Sequence, residues 1–225
     1  ERKHYRARVR LFSALLDMGE VPWELAARQL RLTAVALKPM EEKGWIFLDR
    51  EAVYRNPIRR ELENGAAVEL NEEQQAAARA FIQDYRAGHP GTYLLYGITG
   101  SGKTEVYMEM MEAVLRDGRQ VIVLIPEIAL TYQTVMRFYR RFGQRVSVIN
   151  SRLSKGERYD QFERARKGEI QVMIGPRSAL FTPFENLGLI VIDEEQEGAY
   201  KSELAPRYHA REVAARRAAM AGAGL

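Results

Sequence analysis

Along this chain the apolar positions switch between two spacings. From residue 92 onward, short apolar runs alternate with stretches of helical period. Residues 92–96 (TYLLY), 120–125, 146–149, 171–174 and 189–192 predict strands. Residues 104–116 put Val106, Met110, Ala113 and Val114 at helical spacing, and residues 131–142 and 154–167 also predict helices. Ser154, with Glu157 three residues on, predicts a capping box at the start of the last helix. Just upstream, Asn71 is the expected N-cap of a helix running to about residue 85. Apolar strands alternating with helices imply a parallel sheet covered on both faces, with ligands held at the carboxyl ends of its strands.

The first 56 residues have a different pattern. Val9, Phe12, Leu15 and Leu16 recur at helical spacing and Gly19 ends that helix. A second short helix is expected at residues 22–30, with Pro22 tolerated in its first turn. A third is expected from Thr33 as N-cap to Lys43, closed by Gly44, and Pro39 should kink or shorten it. Residues 45–48 and 52–54 predict two strands around a polar turn. Three helices and a β-ribbon are the pattern of a winged helix, which either enters a DNA groove or serves as a contact or spacer module. Residues 57–69 contain Pro57, mixed charges and Gly65 and predict a linker, leaving residues 70–225 as the main domain.

Composition narrows the function classes. The chain has 225 residues, no cysteine and a formal net charge of +4. Disulfides and thiolate metal sites are thereby excluded within it, and a cytoplasmic location is expected. No apolar run reaches the roughly 20 residues that span a bilayer, so no membrane association is expected. The charge permits nucleic-acid binding without requiring it. Glu1 and the closing Ala-Gly-Ala-Gly-Leu suggest a piece of a longer protein.

The clearest chemistry lies at residues 97–104, GITGSGKT, which fit the phosphate-loop spacing G-x-x-x-x-G-K-[ST]. Gly97, Ile98, Thr99, Gly100, Ser101, Gly102, Lys103 and Thr104 form the candidate nucleotide loop. Backbone N–H groups must wrap a triphosphate closely, so the loop needs glycines, and the helix that follows turns its positive end toward the anion. Lys103 is the candidate to reach the β- and γ-phosphates, and the Thr104 hydroxyl to hold Mg²⁺. Gln74 offers one donor and one acceptor, matching an adenine edge, and is the candidate for that role; the alternative is a plain exposed helix residue.

Asp193 and Glu194 directly follow the apolar run 189–192. Asp193 is expected in the Mg²⁺ shell, and Glu194 is expected to orient or deprotonate the attacking water, making Lys103, Asp193 and Glu194 the candidate catalytic set. Two Gly/Pro-punctuated loops, at 126–131 and 175–180, place Thr131, Arg177 and Ser178 where nucleic-acid phosphates could bind; either loop also reads as a plain βα turn. The combined expectation is an α/β, RecA-like P-loop NTPase lobe preceded by a small α+β winged-helix domain, using ATP and Mg²⁺.

Five strings extend these motifs: GITGSGKTEVY at 97–107, IPEIALT at 125–131, GPRSALF at 175–181, LGLIVIDEE at 187–195 and PRYHAR at 206–211, with Tyr200 and Lys201 between the last two; the EVY at 105–107 and PRYHAR are the distinctive parts. On these the chain resembles the superfamily 2 helicases of bacterial replication restart, the primosomal protein N′ family. The resemblance implies ATP-driven 3′→5′ unwinding, binding to forked and single-stranded DNA, and partnership with single-stranded DNA-binding protein and other primosome proteins. It also implies an aromatic-rich loop at about 197–208 that links DNA to ATP hydrolysis, with Gln196, Tyr200, Lys201, Arg207 and Tyr208 as contact or coupling residues. Those tyrosines either stack on bases or pack on their own domain. Gln196 stands where the family usually has a histidine, and Pro176 where it usually has threonine. A second motor lobe with its arginine finger, a fork-binding domain and a zinc module are implied outside these 225 residues. A second class of function stays open: a nucleotide-switched DNA-binding or docking module without motor activity.

Overall fold

The computed structural model describes residues 8–9, 11–13, 15–16, 34–47, 69–203 and 205–225. The chain divides into two compact units, Glu1–Val53 and Tyr54–Leu225. In the first, helix α1 spans Ala34–Glu42 and continues past Pro39 for one more turn. Its Leu37 and Met40 pack with Leu11 and Ile46, flanked by Phe12 and Leu15. Lys43 stands 4.9 Å from the ring centre of Trp45. Residues 45–47 are irregular where a strand was expected. The rest of that strand, its partner at 52–54, the Thr33 cap, the helix at 22–30 and nearly all of the linker lie outside the described residues.

The second unit is a parallel α/β array. Strands β1 (Gln120–Leu124), β2 (Val146–Val148), β3 (Val172–Gly175) and β4 (Leu187–Ile192) lie in the order β2-β3-β1-β4. Every pairing is parallel, with Val123 opposite Ile174 on one side and Val191 on the other. The chain runs from β1 to the edge strand β2, returns to lay β3 between them, and then crosses to put β4 on the other flank of β1. That reversal is the topological switch point at which such sheets bind ligands.

Both sheet faces are buried, as continuous apolar strands require. Successive side chains point to opposite faces, so Val121 and Val123 join one core and Ile122 and Leu124 the other. The first core is closed by α2 (Glu72–Arg86), α3 (Lys103–Arg116) and α4 (Tyr132–Phe142). The second is closed by α5 (Lys155–Arg166) through Ala165 and by α6 (Ala210–Ala221) through Ala210, Ala214 and Ala218. Glu105, Glu109 and Glu112 share one side of α3 and all reach Arg141 of α4, fixing those helices together.

Local signals explain the helix starts. Ser154 and Glu157 form the capping box that the sequence predicts, Oγ accepting from Glu157 N and the Glu157 carboxylate accepting from Ser154 N. Asn71 caps α2 through a second box, in which Gln74 is the reciprocal partner. The expected strand at 92–96 differs from the sequence reading. Among the described residues, backbone hydrogen bonds tie residues 91–96 only to Leu225, whose carbonyl accepts from Tyr93 N and whose N–H donates to Gly91 O. One lateral contact does not make a ladder, so the segment is extended but unpaired along the rest of its length. Among the described residues no helix is long and apolar enough to cross a membrane.

Candidate active site

Residues 97–102 connect this extended segment to α3 and arrive beside the carboxyl end of β4. Gly102 is the N-cap of α3, at φ +82° in the left-handed region that glycine tolerates. A Cβ there would press on the Gln74 amide, which can swing aside, so it is the backbone conformation that calls for glycine. Gln74 Nε2 donates to Ser101 O at 2.9 Å, while its Oε1 accepts from Asn71 N. Both ends of the amide are therefore engaged at the loop and the α2 cap. Lys103 folds back so that Nζ donates to Gly97 O at 2.7 Å and Ile98 O at 3.0 Å. Ile98, Thr99, Gly100 and Ser101 are exposed, and Thr104 is half-buried at the helix start.

The acidic residues face this loop across a cavity of about 1050 Å³, lined by Gly97, Ile98, Thr99, Lys103, Asp193 and Glu194 among others. Asp193 continues β4, and its N–H donates to Leu124 O at 2.9 Å. Its Oδ1 accepts from Glu194 N at 3.1 Å, and its Oδ2 accepts from the Tyr107 hydroxyl at 3.1 Å. Burial pushes the Asp193 carboxyl above the ordinary aspartate range; the Tyr107 hydrogen bond and Lys103 oppose the shift, and the Glu194 charge adds to it. Glu194 holds a left-handed backbone at φ +48°, uncommon outside glycine and a feature that clusters at working sites. Its carboxylate accepts from Gln196 Nε2 at 2.7 Å. Arg211 pairs with Glu195 at 2.8 Å and lines the same cavity.

These groups suit a Mg²⁺–nucleotide pair. Among the described residues no cluster of three or more His, Asp, Glu or Cys forms an all-protein metal cage. Mg²⁺ instead takes one or two carboxylates and completes its shell with water and substrate phosphates. A partly buried carboxylate whose charge is disfavoured by its surroundings, meeting a threonine hydroxyl through one phenol, is a hard-oxygen set of that kind. Thr104 and Asp193 would hold the cation.

The proposed nucleic-acid contacts divide into two groups. Thr131 caps α4, with Oγ1 accepting from Thr134 N at 3.2 Å. Arg177, at the start of the turn Arg177–Phe181, donates from Nη1 to Ala199 O at 2.7 Å and Lys201 O at 3.0 Å. Ser178 is half-buried beside it. Tyr200 is only 1% exposed; its hydroxyl lies 2.6 Å from Asp193 O and 3.0 Å from Leu124 O. It packs on its own domain and offers no face for a base. Lys201 and Arg207 are exposed, Gln196 is exposed at the cavity rim, and Tyr208 meets Phe181 edge-on at 5.6 Å. The structure thus gathers Lys103, Asp193 and Glu194 at one cavity, with Thr104 joined to it through Tyr107, and sets Thr131, Arg177 and the 197–208 loop at neighbouring strand ends.

Sequence reasoning assigned no role to Tyr107, Glu195 or Arg211. The signal for Tyr107 was its place three residues after Thr104, which puts both on one helix face.

Comparisons with known proteins agree with this architecture. Residues 71–218 match the DEAD/DEAH box helicase family. The chain is 42% identical over 200 residues to the replication restart protein PriA of Bacillus subtilis (strain 168), covering 88% of this chain and 25% of that protein. It is 43% identical over 183 residues to the PriA of Haemophilus influenzae, covering 78% of this chain and 24% of the relative. With PriA of Chlamydia pneumoniae the identity is 46% over 159 residues, 70% of this chain and 21% of the relative. The chain therefore spans about a quarter of the length of these relatives. With the family match covering well over half of its residues, this chain belongs to the DEAD/DEAH box helicases.

Proposed function

We propose that this chain carries the first motor lobe of an ATP-driven DNA helicase that works in replication restart. The observation that carries the proposal is the meeting of the phosphate loop and the Asp193–Glu194 pair across one cavity at the switch point of the sheet. ATP binds with its phosphates in the 97–104 loop, where backbone N–H groups and the positive end of α3 neutralise charge. Lys103 exchanges its two carbonyl partners for the β- and γ-phosphates. Asp193 and Thr104 would hold Mg²⁺, which when bound would supply positive charge to the phosphate oxygens. Glu194 orients the attacking water for in-line displacement. Gln74, one turn into α2, is the candidate adenine reader once its amide turns away from Ser101.

The DNA side is read from the neighbouring strand ends. Arg177, Ser178 and Thr131 contact backbone phosphates, Lys201 and Arg207 add charge, and Tyr208 supplies an aromatic surface. In the whole protein the reading extends to 3′→5′ movement on forked DNA, assembly with single-stranded DNA-binding and primosome proteins in the cytoplasm, and a winged-helix domain over residues 1–56. Supporting this are the similarity to PriA proteins and the residues quoted for the superfamily 2 resemblance. The test uses the full-length protein with a forked DNA substrate and Lys103→Ala. Loss of ATP hydrolysis and unwinding together, with fork binding retained, supports a motor. Unwinding that persists without hydrolysis refutes it, and a wild-type protein that loads partners but never unwinds identifies a nucleotide-switched docking module instead.

A further inference from the structure

Tyr107 sits on the same face of α3 as Thr104, one turn further along the helix. Its ring is buried, 5% exposed, and lies nearly parallel to Phe138 at 6.2 Å with 20° between planes. A phenylalanine would fill that place equally well, so packing does not account for the hydroxyl. The hydroxyl ends where the phosphate-loop helix meets the acidic turn. It donates to Asp193 Oδ2 at 3.1 Å and interacts with the Thr104 side chain. A phenol donates one proton and still accepts, so Thr104 Oγ–H to Tyr107 Oη–H to Asp193 is a consistent chain.

We propose that Tyr107 is a positioning residue of the Mg²⁺ site, fixing the Asp193 carboxylate in register with Thr104 before the cation arrives. The inference rests on the reading of this cavity as an ATP site. Asp193 Oδ1 accepts from Glu194 N and Oδ2 from Tyr107, so the two bonds together set the rotation of the carboxylate, and Tyr107 is the partner that ties it to α3. A partner of this type orients a metal ligand without touching the metal, and its removal typically lowers metal affinity. Tyr200 does not duplicate it: that hydroxyl meets the backbone carbonyl of Asp193 and leaves the carboxylate alone.

The test compares wild type with Tyr107→Phe in the full-length protein, measuring the affinity of fluorescent ADP with excess MgCl₂ and again with EDTA. The ratio of the two affinities reports the cation site, and the EDTA value reports the phosphate loop and the fold. Expected for Tyr107→Phe is a roughly 10-fold smaller Mg²⁺ enhancement with the EDTA value unchanged. Mn²⁺ titration of the ADP complex followed by electron paramagnetic resonance should give the same loss. An unchanged ratio overturns the inference, and so does an equal fall in both affinities, which a merely structural tyrosine would produce. A wild type with no Mg²⁺ enhancement at all removes the cation site and, with it, the ATP reading. Failure of Tyr107→Phe alone leaves that reading standing, so the two failures are distinguishable.

Discussion

Residues 97–103 and residues 193–196 face each other across the cavity, yet they are secured in different ways. On the phosphate-loop side Ile98 is 81% exposed, and the ties are Lys103 on Gly97 O and Ile98 O, Gln74 on Ser101 O, and one turn bond from Ser101 N to Ile98 O. Every one of these uses a group that a nucleotide would claim. On the acidic side Asp193 is fixed through its N–H by Leu124, its carbonyl by Tyr200, and its two carboxylate oxygens by Glu194 N and Tyr107. None of those partners is a proposed substrate ligand. The difference separates two tasks. A loop that wraps phosphates must rearrange on binding, at a cost of about 1 kcal/mol per exchanged hydrogen bond. A carboxylate that locates a cation works best when its position is set beforehand, so that no reorganisation falls on the chemical step.

The largest expected effect that probes this contrast is on catalysis. Lys103→Ala should lower ATP turnover by on the order of 10²–10³ while leaving thermal stability nearly unchanged, because the Lys103 ammonium bonds only two carbonyls of the loop itself. A matching loss of stability would break the comparison by showing that the loop, too, is built in.

On the other side, Asp193→Asn should abolish turnover and at the same time raise the melting temperature of the metal-free protein. The sign follows from its raised pKa in the folded state. Such a carboxyl favours folding most when protonated, below its unfolded pKa, and that contribution is lost as pH rises through the folded pKa. The stability gap between Asp193→Asn and wild type should therefore widen as pH climbs from strongly acidic values through the raised Asp193 pKa and then level off. Parallel melting curves across that pH window would contradict it.

Tyr200→Phe removes a buried hydroxyl that meets two carbonyls, and should cost about 1–3 kcal/mol of stability in denaturant titration. The smallest effect should come from Gln74→Ala. It removes an exposed bond to Ser101 and half of a capping box, a loss of about 1 kcal/mol, measurable as a shift in unfolding midpoint. Gln74→Ala costing more than Tyr200→Phe would reverse the ranking of the two sides.

The contrast was only partly legible in the sequence. Local signals transferred well: the Ser154–Glu157 box, the Asn71 cap, and the helix after the phosphate loop depend on neighbours three or four residues away. The phosphate loop and the acidic pair were recognisable because their chemistry fixes residue types at fixed spacings. The 92–96 segment differs from its expected strand, since an apolar run marks a β-prone stretch and says nothing of a lateral partner. Tyr200 sits in a run that reads equally as base-stacking or core. Its burial is set by Leu124, 76 positions away. Tyr107 was legible as a helix residue and silent as a site residue, because Asp193 lies 86 positions downstream.

Hydrogen exchange on the full-length protein, with and without a non-hydrolysable ATP analogue and Mg²⁺, compares the two sides directly. Backbone amides at 97–104 should gain strong protection on binding, while those at 190–194 should be slow already and change little. Equal gains on both sides, or fast exchange at 190–194 in the free protein, would contradict a preformed acidic side facing an adaptable phosphate loop.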